Sequence, residues 1–460
     1  MPPIITNDAV VFGMLLLILA LVFWTSSLES KAWRRFYTYF PPILICYFLP
    51  ALLHWPLGLI AGEWYDPGIF DFLRNQGVTI AEGANPKEII QNLSMQGQEI
   101  EGTGEYLRGS RLYFMASRYL LPASLILLCL SIDFKGVLNL GSKALIMFGA
   151  ATVGIVLGGP IALLIITNLA PNLISVEPEQ LWRGLSTIAG SWIGGGANQT
   201  AMKEIFEVGS GLFATMIVVD VVVANIWLAI LLAGVNFSDR VDRWLKADNS
   251  SIVALKQKVE NYQMGIAKIP TTKELLYLMG LTFAGVGLSH FLSDILVPVM
   301  KSIEPTLVAW RLNSLLSGFF WLIVFSTTIG VVLSFTKARK LEGMGASKWG
   351  TIFIYVLVTT IGMQMDIGSV LQNLGLFAVG IIWMMVHVGI LLLVAKLIKA
   401  PFFFVAVGSQ ANVGGAASAP VVAAAFSPAL APVGALMAVL GYALGTYMAI
   451  VCAFLMQGVV

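Results

Sequence analysis

Charged side chains are scarce. They make up 11% of the 460 residues, where a soluble globular domain carries roughly 25%. That deficit, beside 58% hydrophobic residues, excludes an ordinary soluble domain and marks an integral membrane protein. Cysteine is nearly missing too. Cys46, Cys129 and Cys452 lie far apart in apolar segments. Their spacing excludes a disulfide framework and a zinc cluster and leaves them as packing residues. The three histidines, His54, His290 and His387, are isolated and read as packing or interface residues. No basic stripe points to nucleic acid. No Ser/His/Asp order, phosphate-binding loop or metal-ligand cluster argues for an enzyme, so none is expected, and no cofactor either. The amino terminus lacks a basic stretch, so 10–24 reads as a retained first span and not a cleaved signal. Asn92-Leu93-Ser94 and Asn198-Gln199-Thr200 match the glycosylation triplet only by chance.

What the chain does have is long apolar runs. Ten can be counted, at 8–24, 37–61, 112–132, 144–166, 211–235, 275–297, 312–335, 349–365, 374–397 and 431–456. Five fall on each side of a hydrophilic linker at 236–274. Two further regions, 181–206 and 401–426, are apolar but broken by glycine and polar residues, and they match each other. The first reads GSWIGGGANQTA and the second GSQANVGGAASA. Laid side by side without gaps, Gly190-Ser191 falls on Gly408-Ser409, and Gly196 on Gly414. Paired glycine-interrupted segments at matching places in two halves point to the binding site of a secondary transporter.

Lysine and arginine collect in cytoplasmic loops. If both motif regions enter and leave on one face, most of the 27 basic residues share a side, including Lys31, Arg34, Arg35 and the run from Arg240 to Lys273. If the motifs cross fully, those two basic groups fall on opposite faces. The expected architecture is therefore an all-α membrane protein of about ten transmembrane helices plus two re-entrant hairpins. Residues 1–235 form one repeat and 275–460 a second, inverted one. Both termini lie outside and the linker inside, in a bacterial inner membrane. A weaker echo of the repeat places Asp133 before Val137-Leu138 and Asp366 before Val370-Leu371. Ile252, Leu255, Val259 and Tyr262 space a short amphipathic helix in the linker, which reads as a solvated tether. The acid-rich stretch 62–111 is a long outer loop.

Irregular backbone survives in hydrocarbon only where it is buried or lines a watery cavity. Gly194, Gly195 and Gly196 are poor helix, at roughly 1 kcal/mol each relative to alanine, and let the chain turn. Broken helix ends attract anions at N-termini and cations at carbonyls. Ser191, Asn198, Gln199 and Thr200, with Ser409, Gln410, Asn412 and Ser418, are the candidate substrate ligands. Asp220 sits inside Met216–Val223, where a carboxylate by default marks function. Asp220, Asn225, Gly194, Gly195, Gly196, Gly414, Gly415 and Gln364 are the candidate ion ligands. Counted from the motifs, the repeat equivalent of Asp220 is Ala438. Neutral oxygens suit sodium and not zinc. A proton-coupled antiporter using Asp220 is the alternative, and a lipid-handling membrane protein a further one. Membrane lipids and a small anionic solute, such as an amino acid or a short or cell-wall-derived peptide, are the expected partners.

At the two GS…GG…A motifs the chain resembles the YjcL-like family of bacterial and plant membrane proteins of unknown function. More distantly its layout is similar to the sodium:glutamate symporters and the 2-hydroxycarboxylate transporters, though its ANQTA and AASAP wording differs from theirs. The resemblance implies sodium-coupled uptake of small carboxylates by an elevator movement, in a homodimer held by a scaffold domain. The hairpin tips at 194–200 and 410–418 would then hold substrate and ions.

Overall fold

In the computed structural model, the described residues are 2–78, 102–138, 140–248, 270–310, 312–365, 375–427 and 430–459, with a few isolated positions between them. They are overwhelmingly helical. The helices that matter here are α1 (Asp8–Ser26), α2 (Pro42–His54), α3 (Leu121–Leu130), α4 (Ser142–Leu169), α5 (Pro178–Gly194), α6 (Gly196–Ile205), α7 (Ser210–Val235) and α8 (Ser238–Leu245). They continue with α9 (Thr272–Ser302), α10 (Gly318–Ser334), α11 (Ala346–Gly362), α12 (Gly375–Ile398), α13 (Phe402–Val413), α14 (Gly415–Phe426) and α15 (Ala431–Gln457).

Ten crossings are expected from hydropathy, and each of the ten apolar runs contains helix. Among the described residues, seven helices are long and apolar enough to cross a membrane, or nine if two sharply bent pairs each count as one span. One bend of 84° lies between Lys31–Tyr37 and α2, and one of 97° between α10 and Lys337–Met344. α11, with 17 residues, falls just short. Hydropathy registers apolar length and is blind to where the backbone bends.

The chain divides into two compact units. The first comprises Met1–Ser117 and Tyr355–Ile367. Its core gathers Val11, Leu15, Ile60, Leu112 and Met363. Asn7 starts α1 by accepting the backbone N–H groups of Ala9 and Val10, two of the donors a helix start leaves open. The long loop is not featureless: Glu63–Tyr65 pairs antiparallel with Leu107–Gly109, and Ile69–Asn75 is a helix.

The second unit comprises Arg118–Ile354 and Gly368–Val460 and holds both glycine motifs. Its helices pack through small residues, which let backbones approach within van der Waals reach. A Cβ on Gly154 would meet His387, and one on Gly158 would meet Trp383, so α4 and α12 lie in close contact. Gly330 of α10 meets Ile126 and Cys129 of α3 in the same way. Around that contact Leu127, Leu130, Leu278 and Ala346 form an apolar cluster. The linker opens with α8, which the apolar spacing further along does not foretell. The expected amphipathic helix at 252–262 lies outside the described residues, as do Asp366, Val370 and Leu371.

Candidate functional site

α5 and α6 form a helical hairpin. α5 begins with Pro178 in its first turn, a position where the missing N–H costs nothing. It ends at Gly195, whose φ of 80° and ψ of −171° belong to a region open essentially only to glycine. The chain then folds back. A Cβ on Gly190 would meet the backbone of Asn198, and at the open end the Trp182 and Phe206 rings lie 5.2 Å apart. Arg183 Nη1 donates to the Phe206 carbonyl at 3.2 Å.

The inner end of this hairpin is fastened to α7 by one carboxylate. Asp220 accepts from Ser191 Oγ at 2.6 Å, Trp192 Nε1 at 2.7 Å and Gln199 Nε2 at 2.9 Å. All four residues are buried. A buried carboxylate is costly unless hydrogen-bonded, and here three neutral donors, from both limbs of the hairpin, converge on it. Asn198 faces the other way: its Oδ1 accepts from Thr446 Oγ1 at 2.5 Å, and its Nδ2 donates to the Gly194 carbonyl at 3.1 Å. Thr446 lies 3.1 Å from Thr327 Oγ1 of α10.

α13 and α14 form a second hairpin. The break falls at Gly414, with Gly415 at a φ of 56°, one residue later than gapless pairing of the motifs places it. Ser418 Oγ donates back to Gln410 Oε1 at 2.7 Å, and Phe426 packs on Phe403 at 5.4 Å at the open end. Ser409 sits in a relay. Trp227 Nε1 donates to Ser409 Oγ at 2.8 Å, and Ser409 lies 2.8 Å from His387 Nε2. The His387 Nδ1 is 3.1 Å from the Ala151 carbonyl. A carbonyl can only accept, so Nδ1 carries the proton and Nε2 accepts from Ser409. Asn412 Oδ1 accepts from Thr152 Oγ1 at 2.8 Å, and its Nδ2 donates to the Gly408 carbonyl at 3.1 Å.

The open end of the second hairpin is held by the start of the linker. Asp242 Oδ1 accepts from the Phe402 N–H at 2.7 Å, which caps α13 with an anion. Lys143 Nζ donates to Asp248 Oδ2 at 3.1 Å and to the Lys399 carbonyl at 3.3 Å. Lys396 stacks on Trp244, 4.7 Å from the ring centre. Asp242→Ala is therefore expected to weaken this strap by about 1 kcal/mol, the usual cost of a lost cap. Trypsin should then cut at Arg240 to Lys246 several-fold faster than in the parent protein. Unchanged cleavage would show that the strap does not hold the linker down.

The two hairpins approach α15 from opposite ends. Phe206, at the open end of the first, lies 6.1 Å from Phe454, and its inner end meets Gly441 and Gly445. The second packs Ala419-Pro420 onto Gly434. Gly434 and Gly441 are two turns apart, about 10 Å along the helix. Most of the polar motif residues of both hairpins thus converge on one stretch of the second unit.

The structure sorts the sequence candidates. Ser191, Gln199 and Asp220 meet, with Gly194, Gly195 and Gly196 forming the turn beside them. Gln410 and Ser418 meet at Gly414 and Gly415. Ser409 and Asn412 are committed to α4, α7 and α12. Thr200 Oγ1 donates within its own turn, to the Gly196 carbonyl at 2.9 Å. Asn225 Nδ2 does the same to Val221, at 2.8 Å. Gln364 belongs to the first unit, where it packs against Gly62. Three residues carry more than the sequence suggests. Trp192 is a donor to Asp220, and its place inside the first motif is the signal that could have found it. His387 and Trp227 complete the Ser409 relay, and nothing local to them marks it.

A family model described as a protein of unknown function, DUF819, matches residues 107–459. The uncharacterized membrane protein YjcL of Bacillus subtilis (strain 168) is 24% identical over 337 residues, covering 71% of this chain and 79% of YjcL. The resemblance carried by the two glycine motifs is borne out.

Proposed function

The chain belongs to the DUF819 family, and we propose that within it this membrane protein is a secondary active transporter. The observation that carries the reading is the pair of broken-helix hairpins reaching α15 from opposite ends. Broken backbone at membrane depth is tolerated only where it is enclosed by protein or faces a watery cavity. Opposed hairpins with polar inner ends form such a place, and inverted repeats put it near the bilayer midplane. In this reading both hairpins are re-entrant, the linker is cytoplasmic, and a homodimer moves its hairpin domain past a scaffold in alternating access. Sodium is the coupling ion and a small anionic solute the cargo. No chemistry is performed on the solute. Coupling requires that sodium favour the solute-binding state, because a ligand shifts conformations only through differential affinity.

The test is the thermal midpoint of the purified protein, titrated with sodium against potassium at constant ionic strength. A saturable rise with sodium alone is expected, worth about 2.7 kcal/mol at a hundred times the dissociation constant. Proteoliposomes carrying a sodium gradient should then accumulate labelled amino acids, peptides or dicarboxylates. If no solute moves under a sodium or a proton gradient, the transporter reading fails. Movement driven by protons alone would favour the second reading, coupling through the buried Asp220.

A further inference from the structure

Almost every polar side chain at the two inner ends is already committed. Ser191, Trp192 and Gln199 are engaged by Asp220. Asn198 is taken up by Thr446 and Gly194, Ser409 by Trp227 and His387, and Asn412 by Thr152 and Gly408. Gln410 is the exception. It is 1% exposed. Its Oε1 accepts from Ser418, while its Nε2 has no hydrogen-bond partner among the described residues. Leaving a buried donor unmade is unfavourable, and such a group calls for an explanation, an absent ligand among them.

The position of that amide supplies one. A Cβ on Gly414 would fall onto Ser418 Oγ and Gln410 Oε1, so the Gln410 side chain lies against the N-terminus of α14. α14 has 12 residues, and no side chain caps its first turn. The N–H groups of that turn have no partner inside the helix, and they carry the positive end of its dipole. Gly414 and Gly415 are half-buried and Ala416 is exposed, so the place opens outward. The donors gathered there are neutral. The sequence of the second hairpin, 402–426, contains no lysine or arginine, and the two cations of the first lie toward its open end, Arg183 paired with Glu179 at 2.7 Å and Lys203 with Glu204 at 2.9 Å.

We propose that the second hairpin holds a carboxylate of the transported solute. Its oxygens would accept from the first-turn N–H groups of α14 and from Gln410 Nε2, with Ser418 fixing the amide's orientation. The proposal rests on the transporter reading for the word transported, but the binding itself does not depend on it. Recognition by neutral donors instead of a lysine or arginine gives a site that binds and releases readily. It also divides the labour: the first hairpin is locked by its own carboxylate, and the second awaits one from outside. Gln410 is thus a specificity-determining residue.

The probes are acetate and succinate, each compared with acetamide and succinamide. The readout is the thermal midpoint of the full chain at fixed sodium and ionic strength. Saturable stabilisation by the carboxylates alone is expected. Gln410→Met keeps the side chain's length but removes both amide atoms, and should raise the half-saturating concentration at least tenfold. Gln410→Glu places a like charge there and should abolish the shift. If Gln410→Met does not fold, Ser418→Ala, which frees the amide to turn, should raise the half-saturating concentration several-fold. Equal stabilisation by amides and acids, no shift with any acid, or unchanged half-saturation in these variants would each overturn the proposal. Solute counterflow in proteoliposomes separates the two readings. Flux of a neutral or cationic solute without carboxylate binding sinks this inference alone. Carboxylate binding that depends on Gln410 without any flux sinks the transporter alone.

Discussion

Asp220→Leu is expected to cost on the order of 4 kcal/mol. Trp192 and Gln199 would each lose a buried acceptor, at about 1–3 kcal/mol apiece. Ser191 loses less, because its hydroxyl can turn to a carbonyl of its own helix. Asp220→Asn keeps the shape and one oxygen. It turns the other into a donor facing donors, so it should cost about 1–2 kcal/mol. The thermal midpoints of the purified proteins should therefore fall in the order parent, Asn, Leu. The carboxylate joins both limbs of the first hairpin to α7 through bonds of 2.6 to 2.9 Å, so the leucine variant should also lose monodispersity on size exclusion. Identical midpoints for all three would show that Asp220 does not fasten the hairpin. In that case its role would have to be sought in ion or proton binding alone.

Gly195→Ala should destabilise by about 2 kcal/mol although there is room for the methyl group. Among the described residues no atom lies within 4 Å of a Cβ placed there, so the cost is confined to the backbone. At φ 80° and ψ −171° a side chain meets its own peptide groups, at about 1–3 kcal/mol. Gly149 is the control. It too has nothing within 4 Å of its Cβ position, but it lies inside α4 with ordinary helical geometry. Gly149→Ala should stabilise by about 0.5–1 kcal/mol by reducing the freedom of the unfolded chain. Opposite signs for two glycine-to-alanine changes, read as midpoints on one instrument, would isolate the backbone contribution. A lowered midpoint in both would point to packing that the glycines share.

Much of the fold was legible because its causes are local. An apolar run of about 20 residues needs no partner to declare itself. A glycine cluster inside such a run declares a break, because helix is poorest there. The hairpins accordingly fall at Pro178–Ile205 and Phe402–Phe426, close to the expected 181–206 and 401–426. Bends were not legible. The 97° turn after α10 follows Phe335-Thr336, and neither residue forbids helix. The slip between the two hairpin turns was hidden as well: relative to gapless pairing the second break falls one residue later, at Gly414, and the positive φ two residues later, at Gly415, and a gapless comparison cannot see which glycine takes it.

The candidate site was legible in its composition only. Amides and hydroxyls in an apolar segment announce that hydrogen bonds must be made, and the sequence by itself determined that much, together with the two breaks and the buried carboxylate near them. Which bonds are made was decided by the tertiary structure alone. Thr446 reaches Asn198 across 248 positions, Thr152 reaches Asn412 across 260, and Trp227 reaches Ser409 across 182. No local pattern encodes a partner so far away, because a hydrogen bond depends on where two helices meet and not on either helix alone. For the same reason only the folded chain distinguishes Asn412, whose amide is fully used, from Gln410 two residues before it, whose amide nitrogen is not.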